Sequence, residues 1–414
     1  MTSGGALRAL VGFREFRGMW VATTVSTAGD QLATVALSLL VFERTKSPAW
    51  TAATYAMTML PTLVSGPLLA WLADRYPRRG VMVTCAWLQA GLVGLMALPF
   101  MPMAVMIVLL VGVQMVASPF LAAQEATLPS ALPANRYDDG VAFFGSSADV
   151  AQMLGLAGAG FAVTLLGAHT ALAIDAATFV LVALLIQVSV VARPAADPLA
   201  RRKHAVPQAE QEAQRERQSA LGLIITSPRL RSVLGLRLLA GFAMVPAGLA
   251  VPLAAQLNAS WATGLILALE PATNVIGVAL LYRLIRDDRQ RERLIGPLAV
   301  LSLVPLIGFA VMPSLTWTVA LLTIAGIAGA FHTPARAAWG RSVPDPYRGR
   351  AHGIARTALR ASQGGGMALG GTVAQILGSI TMTIAGAGAV GVLLALQAAS
   401  AWTRANKSNA EVTL

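Results

Sequence analysis

Trp71–Gly80 reads WLADRYPRRG, and it ends a run from Thr51 to Ala73 that holds no Asp, Glu, Lys or Arg. Four charges then fall within six residues: Asp74, Arg75, Arg78 and Arg79. About 20 predominantly apolar residues are what a helix needs to cross roughly 30 Å of hydrocarbon. Arginines clustered at one end of such a run hold that end on the cytoplasmic side. The stretch therefore reads as the inner end of a membrane span, and the fold follows from asking how often the pattern recurs.

It recurs along the whole chain. Of 414 residues, 56% are hydrophobic and only 12% charged, with mean hydropathy +0.65. A soluble protein is nearer a quarter charged, so a soluble fold is excluded. The net charge of +12 does not point to nucleic acid, because the arginines sit in alternate gaps between apolar runs, which is a topology signal. The single cysteine, Cys85, lies inside such a run, so no intrachain disulfide forms. Arg8, Arg14 and Arg17 precede a long first run, which suits a retained span better than a signal peptide.

Twelve spans are expected, at about 18–42, 49–73, 81–100, 103–125, 139–166, 170–192, 232–256, 260–283, 294–312, 315–337, 351–376 and 380–402. With both termini cytoplasmic, the outer loops are short, and of the 31 Lys and Arg only Arg44 and Lys46 fall in them. The fold class is therefore an all-α integral membrane protein, multi-pass in the cytoplasmic membrane. Residues 1–192 form an N-terminal six-helix half and 232–414 a C-terminal one. The polar segment 193–231 reads as a cytoplasmic linker, with helix formers in AEQEAQRERQ.

The halves are related. SPFLAAQEATLP (Ser118–Pro129) ends span four and TPARAAWGRSVP (Thr333–Pro344) ends span ten. At an offset of 215, Pro119 matches Pro334, Ala122–Ala123 match Ala337–Ala338, and Pro129 matches Pro344. Six-span repeats around a midplane site are a transporter architecture.

These residues carry a family resemblance. GPLLAWLADRYPRRG resembles the loop 2–3 signature of the major facilitator superfamily, with Ala70 and Pro77 in place of two glycines. Phe13–Pro48, with Gly29–Asp30, is similar to the first span of that superfamily's drug, macrolide and siderophore exporter branch, and VPDPYRGRAHG (Val343–Gly353) to its loop before span eleven. The span-five antiporter motif is partial: GLAGAG keeps Gly155 and Gly160 but has Leu156 and Ala159. The arginine often found on span four is replaced by Gln114 as the nearest polar residue. The resemblance implies two pseudo-symmetric six-helix halves, alternating access and proton-driven antiport.

Ionisable groups within spans cost about 2.5–3.5 kcal/mol at a helix centre, which makes each a functional candidate. Thr23, Thr27, Asp30 and Thr34 recur at helical spacing on one face of span one. Glu270 lies near the middle of span eight with Thr263, Thr273 and Asn274 on its side, and Tyr55, Thr58, Thr62 and Ser65 line span two. By the resemblance, these three faces border a central cavity. Proton-coupling and substrate candidates are thus Asp30, Glu270, Thr27, Thr34, Asn274, Tyr55 and Gln114. For Asp30 and Glu270 the competing reading is a structural hydrogen bond.

Asp149 on span five, with Arg356 and Arg360 on span eleven, reads as a salt-bridged gate nearer the inner side. Simple snorkelling to headgroups is the alternative for Arg356 and for Arg237. Asp74, Arg75, Arg78 and Arg79 are gating candidates by resemblance, Asp74 as an anion near the start of span eleven, against plain pairing with its neighbours. Asp175, on a span peripheral in the superfamily, reads as structural, and His169 and His332 as interfacial.

There is no phosphate loop for ATP, and His and Cys are too few for a metal site. GGGMALGG (Gly364–Gly371) reads as close helix packing. No enzyme is expected and no cofactor beyond the proton gradient. The expected function is efflux of amphiphilic small molecules, drugs or secondary metabolites, with tolerance for cations, by a monomer among membrane lipids and without nucleic acid. Rival readings are an uncoupled facilitator or lipid or lysolipid flippase of the same fold, and a non-transporting membrane receptor.

Overall fold

A backbone in hydrocarbon has no water to bond, so an apolar run of this length satisfies its own N–H and C=O groups by coiling into a helix. The computed structural model describes residues 10–69, 71–133, 136–193, 220–311, 314–344 and 347–412, and the regular elements among them are helical. In the first part of the chain these are α1 (Arg14–Thr45), α2 (Pro48–Ala56), α3 (Pro61–Leu69), α4 (Leu72–Arg75), α5 (Arg78–Met96), α6 (Met103–Ala131), α7 (Tyr137–Leu166) and α8 (Ala168–Ser189). In the second they are α9 (Pro228–Leu238), α10 (Ala240–Ala243), α11 (Val245–Gly248), α12 (Ala250–Gln256), α13 (Thr263–Leu284), α14 (Asp288–Ile307), α15 (Leu315–Ala328), α16 (His332–Ser342), α17 (Arg348–Leu377) and α18 (Ile380–Val412).

Ten stretches among the described residues are long and apolar enough to cross a membrane. The other two expected spans are built differently. Span two is not one helix: it breaks between α2 and α3 at residues 57–60, just before Pro61. Proline lacks the N–H that the helix needs, and its ring disfavours a helical residue before it. The polar periodicity from Tyr55 to Ser65 therefore does not form a continuous face. Span eleven, α17, is a helix of 30 residues, but Arg350, Arg356 and Arg360 occupy its first half, so its uncharged part is confined to 361–377. The expected linker falls largely on 194–219, outside the described residues.

The chain forms two units, Met1–Arg44 with Met57–His204, and Thr45–Ala56 with Ala205–Leu414. In the first, Phe16, Met19, Met82, Ala123 and Ile186 form a buried core shared by α1, α5, α6 and α8. Polar contacts tie α1 to its neighbours: Gln124 Nε2 of α6 donates to Thr23 Oγ1 at 2.7 Å, and Trp20 Nε1 to Ser147 Oγ of α7 at 2.7 Å. Ser65 and Ser118 hydroxyls bond one another. Gly155 of the partial antiporter motif sits where a Cβ would press on Ala28 and Gln31 of α1.

In the second unit, α2 lies on α17. A side chain at Gly371 would collide with Ala52, one at Gly366 with the Gly241 carbonyl, and Ser47 Oγ donates to Gln375 Oε1 at 2.8 Å. The glycine run of α17 is thus a packing surface, since small residues let membrane helices approach closely. Large apolar side chains such as Leu154 (69% exposed) and Ile376 (78%) stay on the outside of the long helices. In water such a surface would aggregate; against lipid it is matched.

Candidate functional site

Asp30 stands on α1 one turn after Ser26, whose side chain hydrogen-bonds its carboxyl. Thr34, the next turn on, donates its hydroxyl to the Asp30 carbonyl at 2.7 Å. The carboxyl faces into its own unit, lining a cavity of about 40 Å³ with Thr34, Val93, Leu110, Gln114, Leu172 and Asp175. About 10–15 Å³ is enough for one water molecule, so the space can hold one beside Asp30, Gln114 and Asp175, in a lining that is otherwise mostly apolar. Asp175 is only 1% exposed, and Thr178 Oγ1 donates to its Oδ1 at 3.1 Å. Gly29 explains the GD pair, because a Cβ there would collide with Asp175 Oδ1 and Thr178 Oγ1. The glycine lets α8 bring a second carboxyl to the first.

Asp175 was expected to be structural, and the structure gives it the same cavity as Asp30. The signal was present as a charge within a span, but its pairing depended on how α1 and α8 meet. Gln114, from the span-four position, completes the polar lining.

The second unit holds a smaller counterpart. Glu270 on α13 lines a cavity of about 20 Å³ with Ala243, Ser302, Leu306, Gly329 and His332. Gly326 and Gly329, beside Glu270 and Asn274, leave room for α13 to lie close to the tenth span, and Asn274 Nδ2 reaches the Gly326 carbonyl at 3.5 Å. Tyr55, buried on α2, lies within electrostatic reach of Glu270. The repeat relates the two cavities: at the offset of 215, Leu110 and Gln114 of the first correspond to Ala325 and Gly329 of the second, and all four line them. His332 is therefore a cavity residue, which corrects its expected interfacial place. Arg237 is 8% exposed within the second unit, so it does not snorkel to headgroups.

The major facilitator superfamily model matches residues 19–324, about three quarters of the chain. The chain belongs to the major facilitator superfamily. It is similar in structure to the nucleoside transporter NupG (TM-score 0.70, 14% identity, covering 94% of this chain and 98% of that one). It is also similar to a bacterial homologue of the human lysosomal transporter Spinster (0.70, 13%, 95% and 96%) and to the peptide transporter POT in complex with sulfate (0.70, 12%, 94% and 95%). At such identities the likeness is one of fold. No curated protein matches the sequence. The chain is thus a multi-pass membrane transporter of the major facilitator fold.

The superfamily's loop signature takes definite positions in the first unit. Arg78 donates to the Ala126 carbonyl of α6 at 2.6 Å and Arg79 to the Gln187 carbonyl of α8 at 2.6 Å, while Arg75 lies 5.8 Å from the Trp71 ring centroid. The side chain of Asp74 lies outside the described residues. Thr27 is half-buried on α1 without lining the Asp30 cavity, and Asp149 is exposed on α7. On α17, Arg356 is exposed and Arg360 half-buried. His169 Nδ1, at the start of α8, lies 3.2 Å from the Ala97 carbonyl just past the end of α5.

Proposed function

We propose that this transporter exports amphiphilic small molecules, cations among them, by proton antiport with alternating access, and that the Asp30–Asp175 pair carries the proton. The observation behind the reading is that two carboxyls share one small cavity in the first unit. Like charges in a common desolvated site do not both ionise, and such a pair titrates as a unit. A proton held there can be exchanged when water reaches the cavity from alternate sides. Glu270, with Tyr55 and Asn274, is the cation-tolerant group of the second unit. The similarity of α1 to the exporter branch supports the outward direction. The same reading places the chain in the cytoplasmic membrane with both termini inside, working as a monomer with no cofactor besides the proton gradient.

Energy suffices: one charge crossing 100 mV is worth about 2.3 kcal/mol. The test is efflux of a lipophilic fluorescent cation from proteoliposomes under an imposed pH gradient. Wild type pumps until an uncoupler is added, whereas Asp30→Asn and Glu270→Gln fold but do not pump. Wild-type rates in both variants would sink the assignment.

An uncoupled flippase is the second reading, favoured by a groove of about 650 Å³ among α10, α11, α17 and α18 whose lining is almost wholly apolar. Translocation of a fluorescent phospholipid that continues unchanged in uncoupler would select it.

A further inference from the structure

Three membrane helices of the second unit meet around one polar pocket of about 740 Å³: the start of α9, the end of α16 and the C-terminal part of α18. Its lining carries Arg229, Arg231, Arg341 and Arg404 with Ser227 and Ser342, and no acid. The carboxylate that opposes them is Glu292 of α14, which accepts from Arg341 at 2.6 Å and from Arg229 at 3.4 Å. Among the described residues this leaves three positive charges in excess.

The cluster is built rather than loose. The Arg229 guanidinium lies 5.6 Å from the ring centroid of Trp402, a side chain 2% exposed whose indole N–H donates to the Glu292 carbonyl at 3.1 Å. Arg229 Nε is buried without a hydrogen-bond partner. Arg231 donates to the Ile225 carbonyl at 3.2 Å and Arg404 to the Ser400 carbonyl at 3.4 Å. Each guanidinium offers five N–H donors in a fork that fits phosphate oxygens, many more than these bonds use. Ser227, which caps the first turn of α9 by accepting from the Leu230 N–H at 3.4 Å, lines the same space.

The corresponding place in the first unit is a useful control. Thr127 there is the repeat equivalent of Ser342, and it lines a pocket with Arg78, Arg79 and Arg193 of about 150 Å³. In that pocket Arg78 and Arg79 are spent on backbone carbonyls and Arg193 grips Glu15 at 2.7 Å. The second unit instead keeps a space about five times larger and sets four arginines against one acid, where the first sets three against one.

We propose that this pocket binds the phosphate of an anionic membrane phospholipid. Its depth fits, because the lining belongs to the ends of the spans Pro228–Gly248, Leu315–Ser342 and Ile380–Asn406, where headgroups lie. Basic pockets between membrane helices are the setting in which such headgroups are held.

The test is native mass spectrometry of the purified full-length chain in detergent, titrated with phosphatidylglycerol, with phosphatidylcholine of the same acyl chains, and with inorganic phosphate. Wild type binds phosphatidylglycerol in preference to phosphatidylcholine. The double variant Arg231→Gln/Arg404→Gln weakens phosphatidylglycerol by about tenfold or more and leaves phosphatidylcholine alone, while Arg404→Lys keeps most of the binding. Size-exclusion elution at the wild-type volume shows that the variants are folded. Equal binding of the two lipids, wild-type binding by the folded double variant, or displacement of phosphatidylglycerol by millimolar phosphate would each overturn the proposal.

Discussion

A carboxyl placed in hydrocarbon demands a partner, and Asp30 has been given a second carboxyl, a serine, a glutamine and a little space. If the pair is the proton site, its members are functionally equivalent. Asp175→Asn is then expected to reduce gradient-driven efflux at least about tenfold, the factor that 1.4 kcal/mol of lost driving interaction produces, just as Asp30→Asn does. Both should retain gradient-independent exchange of labelled for unlabelled substrate. Full pumping by Asp175→Asn would leave Asp30 acting alone. Gly29→Ala probes the geometry: its methyl meets Asp175 and Thr178, and overpacking costs about 1–3 kcal/mol. A lowered melting temperature in detergent is expected, and an unchanged one would show that α1 and α8 separate easily. Asp30 and Glu270 were legible because a charge in an apolar run stands out. That Asp175 and His332 line cavities was not, since it depends on which helices touch.

At the level of elements, the break in span two decides what that span can present. Pro61 ends the helical bonding that α2 began, so Tyr55 goes with α17 and Glu270 in the second unit while Ser65 bonds Ser118 in the first. Pro61→Ala restores an N–H donor, and amide exchange across residues 57–60 should slow. Exchange at the wild-type rate would mean that packing, not proline, holds the break. The proline was visible in the sequence; the polar spacing from Tyr55 to Ser65, read as one helical face, ran straight through it and misled. Gly366, Gly370 and Gly371 of α17 were read correctly as packing residues, whereas a Cβ at Gly365 would meet open space. Gly366→Val should therefore destabilise the detergent-solubilised protein, the side chain meeting the Gly241 carbonyl, and a wild-type melting curve would refute that contact.

For the molecule as a whole, the charge pattern makes a topological prediction. In a Cys85→Ser background, Lys46→Cys should react with an impermeant maleimide added to intact cells, and Arg193→Cys only after permeabilisation. The reverse labelling would invert the chain in the membrane and with it the direction of transport. The class of fold was readable from span length, arginine placement and the repeat at 215, all of which are one-dimensional signals. The cavities were not, because each gathers side chains from three or more spans.

The central claim is that a proton resides on the Asp30–Asp175 pair, and infrared spectroscopy of the purified protein in lipid tests it without any substrate. At neutral pH the wild type should show a protonated-carboxyl stretch that shifts in heavy water and loses a component in Asp30→Asn/Asp175→Asn. A spectrum without that stretch, or one that the double substitution leaves unchanged, would contradict the account.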